Sequence, residues 1–142
     1  MNILVLNGPN MNMLGIRQPE IYGKATYQDL VEMIQAEGET LGVTVSFFQS
    51  NHEGSLVDAI QQAYFDHVGG IIINPAAYTH TSVALLDAVK AVGIPTVEVH
   101  VSDPDNREDF RRTSYIRSAC VATIRGHGLQ GYLEALHLLC GA

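Results

Sequence analysis

Apolar residues gather into short runs of strand type at Ile3 to Leu6, Val43 to Phe48, Gly70 to Ile73, Thr96 to Val99 and Cys120 to Ile124, which predicts five strands. Between them the apolar positions fall at helical spacing. Thr26-Tyr-Gln-Asp29 has the form of a capping box and opens a helix with Leu30, Val31, Ile34 and Leu41 inward, ended by Gly42. Ser55-Leu-Val-Asp58 repeats the device ahead of Leu56, Ile60, Ala63, Tyr64 and His67, and Gly69-Gly70 breaks that helix. Thr81 or Ser82 caps a third helix with Leu85, Leu86, Val89 and Val92 inward, closed by Gly93 and Pro95. A last helix buries Leu129, Tyr132, Leu133, Leu136 and Cys140. Strands that read as apolar runs are buried on both faces, so strand and helix in alternation predict a parallel sheet between two helical layers. For a chain of 142 residues the expected fold class is α/β. The expectation is a flavodoxin-like three-layer sandwich with a five-stranded sheet in the order 2-1-3-4-5, formed by one domain over residues 1–142. The polar segment Asp103 to Ser118 breaks the pattern and has room for at most a short helix around Glu108 to Thr113.

That topology sends every unusual polar cluster to the carboxyl edge of the sheet, where open α/β sheets bind ligands. Asn7 onward follows strand one, Gln49-Ser-Asn-His-Glu53 strand two, Asn74 to Ser82 strand three, and His100-Val-Ser-Asp103 strand four. The first of these, Asn7 to Gly23, is long for a link inside a small domain, as lids and binding loops are. Pro9 and Pro19 limit its disorder while Gly8, Gly15 and Gly23 leave hinges, and between the hinges sit Arg17 and Tyr22. Taken alone, those two residues read more simply as a solvated cation and a phenol packed on the body of the protein. The Asn74 to Ser82 link offers free backbone N–H groups to an anion, with Ala76 and Ala77 small enough for close approach; it is also what an ordinary link looks like, with Asn74 bonding its own backbone. Glu98 and His100, two apart on one strand, share a face, which suits a general acid whose imidazole is steadied by a carboxylate, or a plain ion pair.

Composition narrows the chemistry. The net charge is −7 and there are only two lysines, Lys24 and Lys90. The arginines at 107, 111, 112, 117 and 125 lack interleaved aromatics and suit carboxylate or diol recognition or subunit salt bridges, so no nucleic-acid partner is expected. His52, Glu53, His80 and His100 have no metal-ligand spacing, and no metal is expected. No GxGxxG or GxxxxGK[ST] follows strand one, and asparagines stand where a phosphoacceptor regulator would need acids. Cys120 and Cys140 read as reduced core residues of a cytoplasmic protein. The run Ile3 to Leu6 is too short for a signal peptide and nothing approaches a membrane span, so no membrane partner is expected.

Six stretches in order, Asn-Gly-Pro-Asn at 7–10, Arg-x-Pro-x-x-Tyr-Gly at 17–23, Gln-Ser-Asn-His-Glu-Gly at 49–54, Asn-Pro-Ala-Ala-Tyr-Thr-His-Thr-Ser at 74–82, Glu-Val-His-Val-Ser at 98–102 and Arg-Glu-Asp-Phe-Arg at 107–111, resemble the type II 3-dehydroquinate dehydratases. The resemblance continues to Gly-x-x-Gly-Tyr at 128–132. It implies a cofactor-free, metal-free hydro-lyase that converts 3-dehydroquinate to 3-dehydroshikimate by anti elimination through an enol or enolate, assembled as a dodecamer made of four trimers. It makes Tyr22 the base, Arg17 the cation that keeps it ionised, Asn10 the holder of a water at the enolate oxygen, and His100, steadied by Glu98, the acid. Asn74, His80, Arg111 and the backbone N–H groups of Val101 and Ser102 would bind substrate, and Asp87 of a neighbouring subunit would complete the pocket. Asp103 stands where the family commonly has Asn, which puts a negative charge near the expected substrate carboxylate; Met11 and Met13 replace Leu with little change of volume. Two other readings stay open: a flavodoxin-like flavin- or nucleotide-binding protein, and a non-catalytic binder of a small polyhydroxy acid.

Overall fold

A computed structural model describes residues 1–16, 20, 23–103 and 107–141 of the chain. Among them five strands, β1 (Asn2–Asn7), β2 (Thr44–Gln49), β3 (Gly70–Asn74), β4 (Thr96–His100) and β5 (Ala122–Arg125), form one parallel sheet in the order β2-β1-β3-β4-β5. Among the described residues the helices that cover it are α1 (Tyr27–Leu41), α2 (Glu53–Phe65), α3 (Val83–Val92) and α4 (Gln130–Cys140). Successive strand residues point to opposite faces, and the two cores divide accordingly. Ile3, Val5, Ile72, Val97 and Val99 pack with Leu30 and Ile34 of α1 and with Tyr132 and Leu136 of α4. Leu4, Leu6, Ile71 and Ile73 pack with Leu56 and Ile60 of α2 and Leu85 and Val89 of α3. The expected three-layer architecture and strand order are those observed.

Local signals explain most element ends. Thr26 and Asp29 form the reciprocal capping box of α1, and Gly42 closes that helix at φ 73°. Ser82, rather than Thr81, caps α3 by accepting from the Leu85 N–H at 3.0 Å, and Gly93 ends it. The expected box at Ser55 does not form. The Ser50 hydroxyl accepts the His52 N–H at 3.0 Å and the chain turns there, so α2 starts at Glu53 and Ser55 lies inside its first turn. Tyr64 is 56% exposed and His67 faces solvent at φ 57°, both outside the stripe predicted for α2. Val31 is only half-buried in α1, and Gly38 joins Leu30 and Ile34 on the inner face instead. Among its described residues the Asp103 to Ser118 segment holds a turn of 3-10 helix at Asp109–Arg112, and another turn follows at Arg117–Ala119.

Candidate active site

The strand ends meet in register: Gln49, Asn7 and Asn74 lie side by side across β2, β1 and β3. The loop after β1 is bound to its neighbours from its first residue. Gly8 N–H donates to the Asn74 carbonyl at 2.8 Å, and its carbonyl accepts from Gln49 Nε2 at 3.1 Å. A Cβ on Gly8 would sit 2.3 Å from the Pro75 carbonyl oxygen, so glycine is required there for close packing and Gly8 is not the hinge the sequence suggested. Asn10 adopts φ 70°, and its N–H donates to Asn51 Oδ1 at 3.1 Å. Arg17 and Tyr22, the expected cation and base, lie outside the described residues.

A pocket opens at this edge, and seven of the expected residues line it: Asn10, Asn74, His80, His100, Val101, Ser102 and Arg111. Pro9, Met11, Ala76, Ala77 and Arg107 complete the lining. Glu98 stands behind His100, and Asp87 sits on the exposed side of α3, away from this pocket. His100 is 7% exposed and its Nε2 meets Glu98 Oε2 at 2.5 Å. With Nε2–H donated to a carboxylate, Nδ1 is the ring nitrogen left for a substrate, and the Glu98 charge favours the imidazolium form in which Nδ1 also carries a proton to give. Glu98 is fully buried and has three further partners. Ser114 Oγ donates to Oε2 at 2.7 Å, while Thr123 Oγ1 at 3.1 Å and Arg117 Nε at 3.3 Å donate to Oε1. Burial pushes the Glu98 carboxyl up, but His100, Ser114 and Arg117 outweigh it and hold the group at about 2. The site thus contains a fixed carboxylate with an imidazole against it.

His80 ends the 3-10 turn Ala76–His80 after β3. Its Nδ1–H donates to the Thr113 carbonyl at 2.7 Å, which leaves Nε2 as an acceptor. Burial lowers its pKa, and the charges of Arg111 and His100 add to that, against the Thr113 carbonyl and Glu98, which raise it. Arg111 comes from the other side, in the turn Asp109–Arg112, with Nε on Glu108 Oε2 at 2.5 Å and its guanidinium 5.1 Å from the Phe110 ring. Phe110 also meets the His80 ring edge to face at 6.4 Å, so one exposed aromatic aligns both pocket residues. Asn74 is 4% exposed; its Oδ1 accepts the Ala76 N–H at 3.1 Å and its Nδ2 donates to the Tyr132 hydroxyl at 3.0 Å. The backbone bond anticipated for Asn74 is therefore present, together with a partner from α4 that was not anticipated. Asp103 lies 3.9 Å from Arg125 and is not among the described residues that line the pocket.

This arrangement holds a carboxylate-backed imidazole, hydrogen-bonding groups for hydroxyls and a guanidinium for an anion around one small space. The profile of the family described as Dehydroquinase class II matches residues 1–140. The chain belongs to that family. It is 56% identical to a 3-dehydroquinate dehydratase of Corynebacterium glutamicum strain R and 53% identical to that of Caldicellulosiruptor bescii, each over 96% of this chain and 94% of the relative. It superposes on the crystal structure of a type II dehydroquinase from Butyrivibrio crossotus with a TM-score of 0.97, at 48% identity, covering 98% of this chain and 97% of the other. As a class II dehydroquinase the chain owes the flavodoxin-like sandwich to its family, while the pocket detail is read from its own residues.

Glu98's supports were not found from the sequence, and only one of them had a signal. Thr123 lies beside Glu98 in the β4–β5 register, so the strand order itself pointed to it. Ser114 and Arg117 come from the irregular segment, where no periodicity says which side chain turns inward. Tyr132 was assigned to the core on periodicity, which gives the position of the ring but says nothing of its hydroxyl.

Proposed function

We propose that this chain dehydrates 3-dehydroquinate to 3-dehydroshikimate in the pocket between Asn10, His100 and Arg111, by anti elimination through an enol or enolate, with the whole of residues 1–142 as one catalytic domain. It is a hydro-lyase of the class II dehydroquinase family. The observation that carries the assignment of roles is the buried Glu98–His100 pair at the pocket wall. A hydroxide leaves only if it is protonated, and His100 held by a fixed carboxylate is the group placed to do so. A proton next to a ketone is removable only if the enolate is stabilised. Asn10, with a water, has that role; Tyr22 takes the proton and Arg17 keeps Tyr22 ionised. Asn74, His80 and the backbone N–H groups of Val101 and Ser102 hold the substrate's hydroxyl and carboxylate region, and Arg111 supplies the positive charge. Asp87 belongs to the pocket of a neighbouring subunit in a dodecamer made of four trimers.

His52, Glu53, His80 and His100 lack metal-ligand spacing, and the reaction already has its base, acid and oxyanion support in this chain's own residues, so the reading is of a metal-free enzyme. None of the described helices is long and apolar enough to cross a membrane. Cys120 and Cys140 are free thiols, the first pushed up to about 12 by burial and by Glu98, in keeping with a cytoplasmic setting. The test is to supply 3-dehydroquinate and detect 3-dehydroshikimate with borohydride present. Undiminished product formation is expected. Trapping of substrate on Lys24 or Lys90 would replace the enolate route with a Schiff base.

A further inference from the structure

The pocket floor rests on a buried chain of hydrogen bonds that crosses three elements, and each atom in it has a determined role. The Ala76 N–H can only donate, so the atom of Asn74 facing it at 3.1 Å is Oδ1. Nδ2 then faces the Tyr132 oxygen at 3.0 Å and donates to it, with the Met11 sulfur at 3.6 Å as its other neighbour. The single proton of the Tyr132 hydroxyl is left for Asn7 Oδ1, which accepts it at 2.5 Å. Tyr132 and Asn7 are fully buried. Burial raises the Tyr132 phenol far above its ordinary value, so it stays protonated and keeps this polarity. Tyr27, the first residue of α1, faces the same Asn7 amide, and Oδ1 is the atom that takes the Tyr132 proton.

At the other end of the chain, Ala76 holds φ 54°, a left-handed conformation that is unfavourable for a residue with a Cβ. Ala76 and Ala77 line the pocket and the same turn delivers His80. The bond from Ala76 N–H to Asn74 Oδ1 fixes that turn, and the orientation of the Asn74 amide depends on Tyr132. We propose that Tyr132 is a positioning residue for the dehydration: from α4 it fixes the Asn74 amide with Oδ1 toward Ala76, and so sets the turn that shapes the substrate-binding floor. This rests on the assignment of the pocket above, and it predicts an effect on substrate binding rather than on the proton transfers at His100.

Tyr132→Phe keeps the ring and removes only the hydroxyl. The expected result is a KM raised about tenfold with kcat within about threefold and an unshifted pH profile. A purely structural role would lower the folded fraction, reducing kcat while leaving KM unchanged; that outcome overturns the proposal. Asn74→Ala should raise KM as well, and adding Tyr132→Phe to it should raise KM no further, because the tyrosine acts through that amide. Multiplicative effects on KM in the double variant would contradict the relay. A reading that needs no variant is amide exchange in the wild-type chain: the Ala76 N–H should be protected like the sheet interior, and exchange as fast as in an open turn would refute its place in the network. Wild-type protein inactive on 3-dehydroquinate would instead refute the pocket assignment, so the two failures are distinguishable.

Discussion

Glu98 is a carboxylate with no exposed surface, held by four side chains, and its charge matters to the stability of the chain as well as to His100. A carboxyl held near 2, below its ordinary 4.5, stabilises the fold above that ordinary value, and the gain disappears as pH falls from about 4.5 through about 2. The shift corresponds to about 3 kcal/mol. Urea unfolding should therefore lose midpoint steeply across that window, and Glu98→Gln should lower stability at pH 7 and flatten the slope. An unchanged slope would mean that the carboxylate is not the group that titrates. For Tyr22 the energetic demand is larger than an exposed ion pair can meet. Lowering a phenol from near 10 to near neutrality takes about 4 kcal/mol, and an exposed pair supplies about 1 kcal/mol or less. In the proposed mechanism Arg17 would therefore act where water is excluded, over bound substrate. Tyr22→Phe should bind substrate and not turn it over, and Arg17→Ala should cut turnover by orders of magnitude and move the basic limb of the pH profile upward.

Among the elements, α3 and α1 show where the sequence was readable and where it was not. Ser82 was legible as a cap, and its hydroxyl does accept the Leu85 N–H. Ser82→Ala should cost about 1 kcal/mol in chemical denaturation. The capping box expected at Ser55 failed because a hydroxyl five residues earlier, Ser50, turned the chain first. A tertiary choice between two equivalent local signals cannot be read from either alone. Gly38 is the opposite case. In an exposed helix, replacing Gly by Ala would add roughly 1 kcal/mol of stability, but here the new Cβ would lie 2.7 Å from Cγ2 of buried Val45. Gly38→Ala should therefore destabilise by about 1–3 kcal/mol, and a stabilised variant would show that α1 can move away from β2. The strand runs, the helix stripes and the polar clusters at the carboxyl edge were all legible, because periodicity and topology place them. The partners of Glu98 were legible only for Thr123, which shares its register; Ser114 and Arg117 sit in a segment with no repeat to reveal its inward side.

For the whole molecule, the assembly and the chemistry have to be tested together. Asp87 is exposed on α3 and absent from its own chain's pocket. If it serves a neighbour's site, Asp87→Ala should lower kcat/KM without loss of monomer stability, and sedimentation of the wild type should show a dodecamer. A fully active monomer would remove Asp87 from the mechanism. The central claim is that this edge of the sheet dehydrates 3-dehydroquinate with His100 as the acid, the group that Glu98 holds against the pocket. Its most direct test is the absorbance of the conjugated enone after 3-dehydroquinate is added to the wild-type chain and to His100→Gln in parallel. The expected result is rapid enone formation by the wild type and a rate lower by about 10²–10⁴ in the variant; no enone from the wild type, or equal rates from the two, would contradict the account.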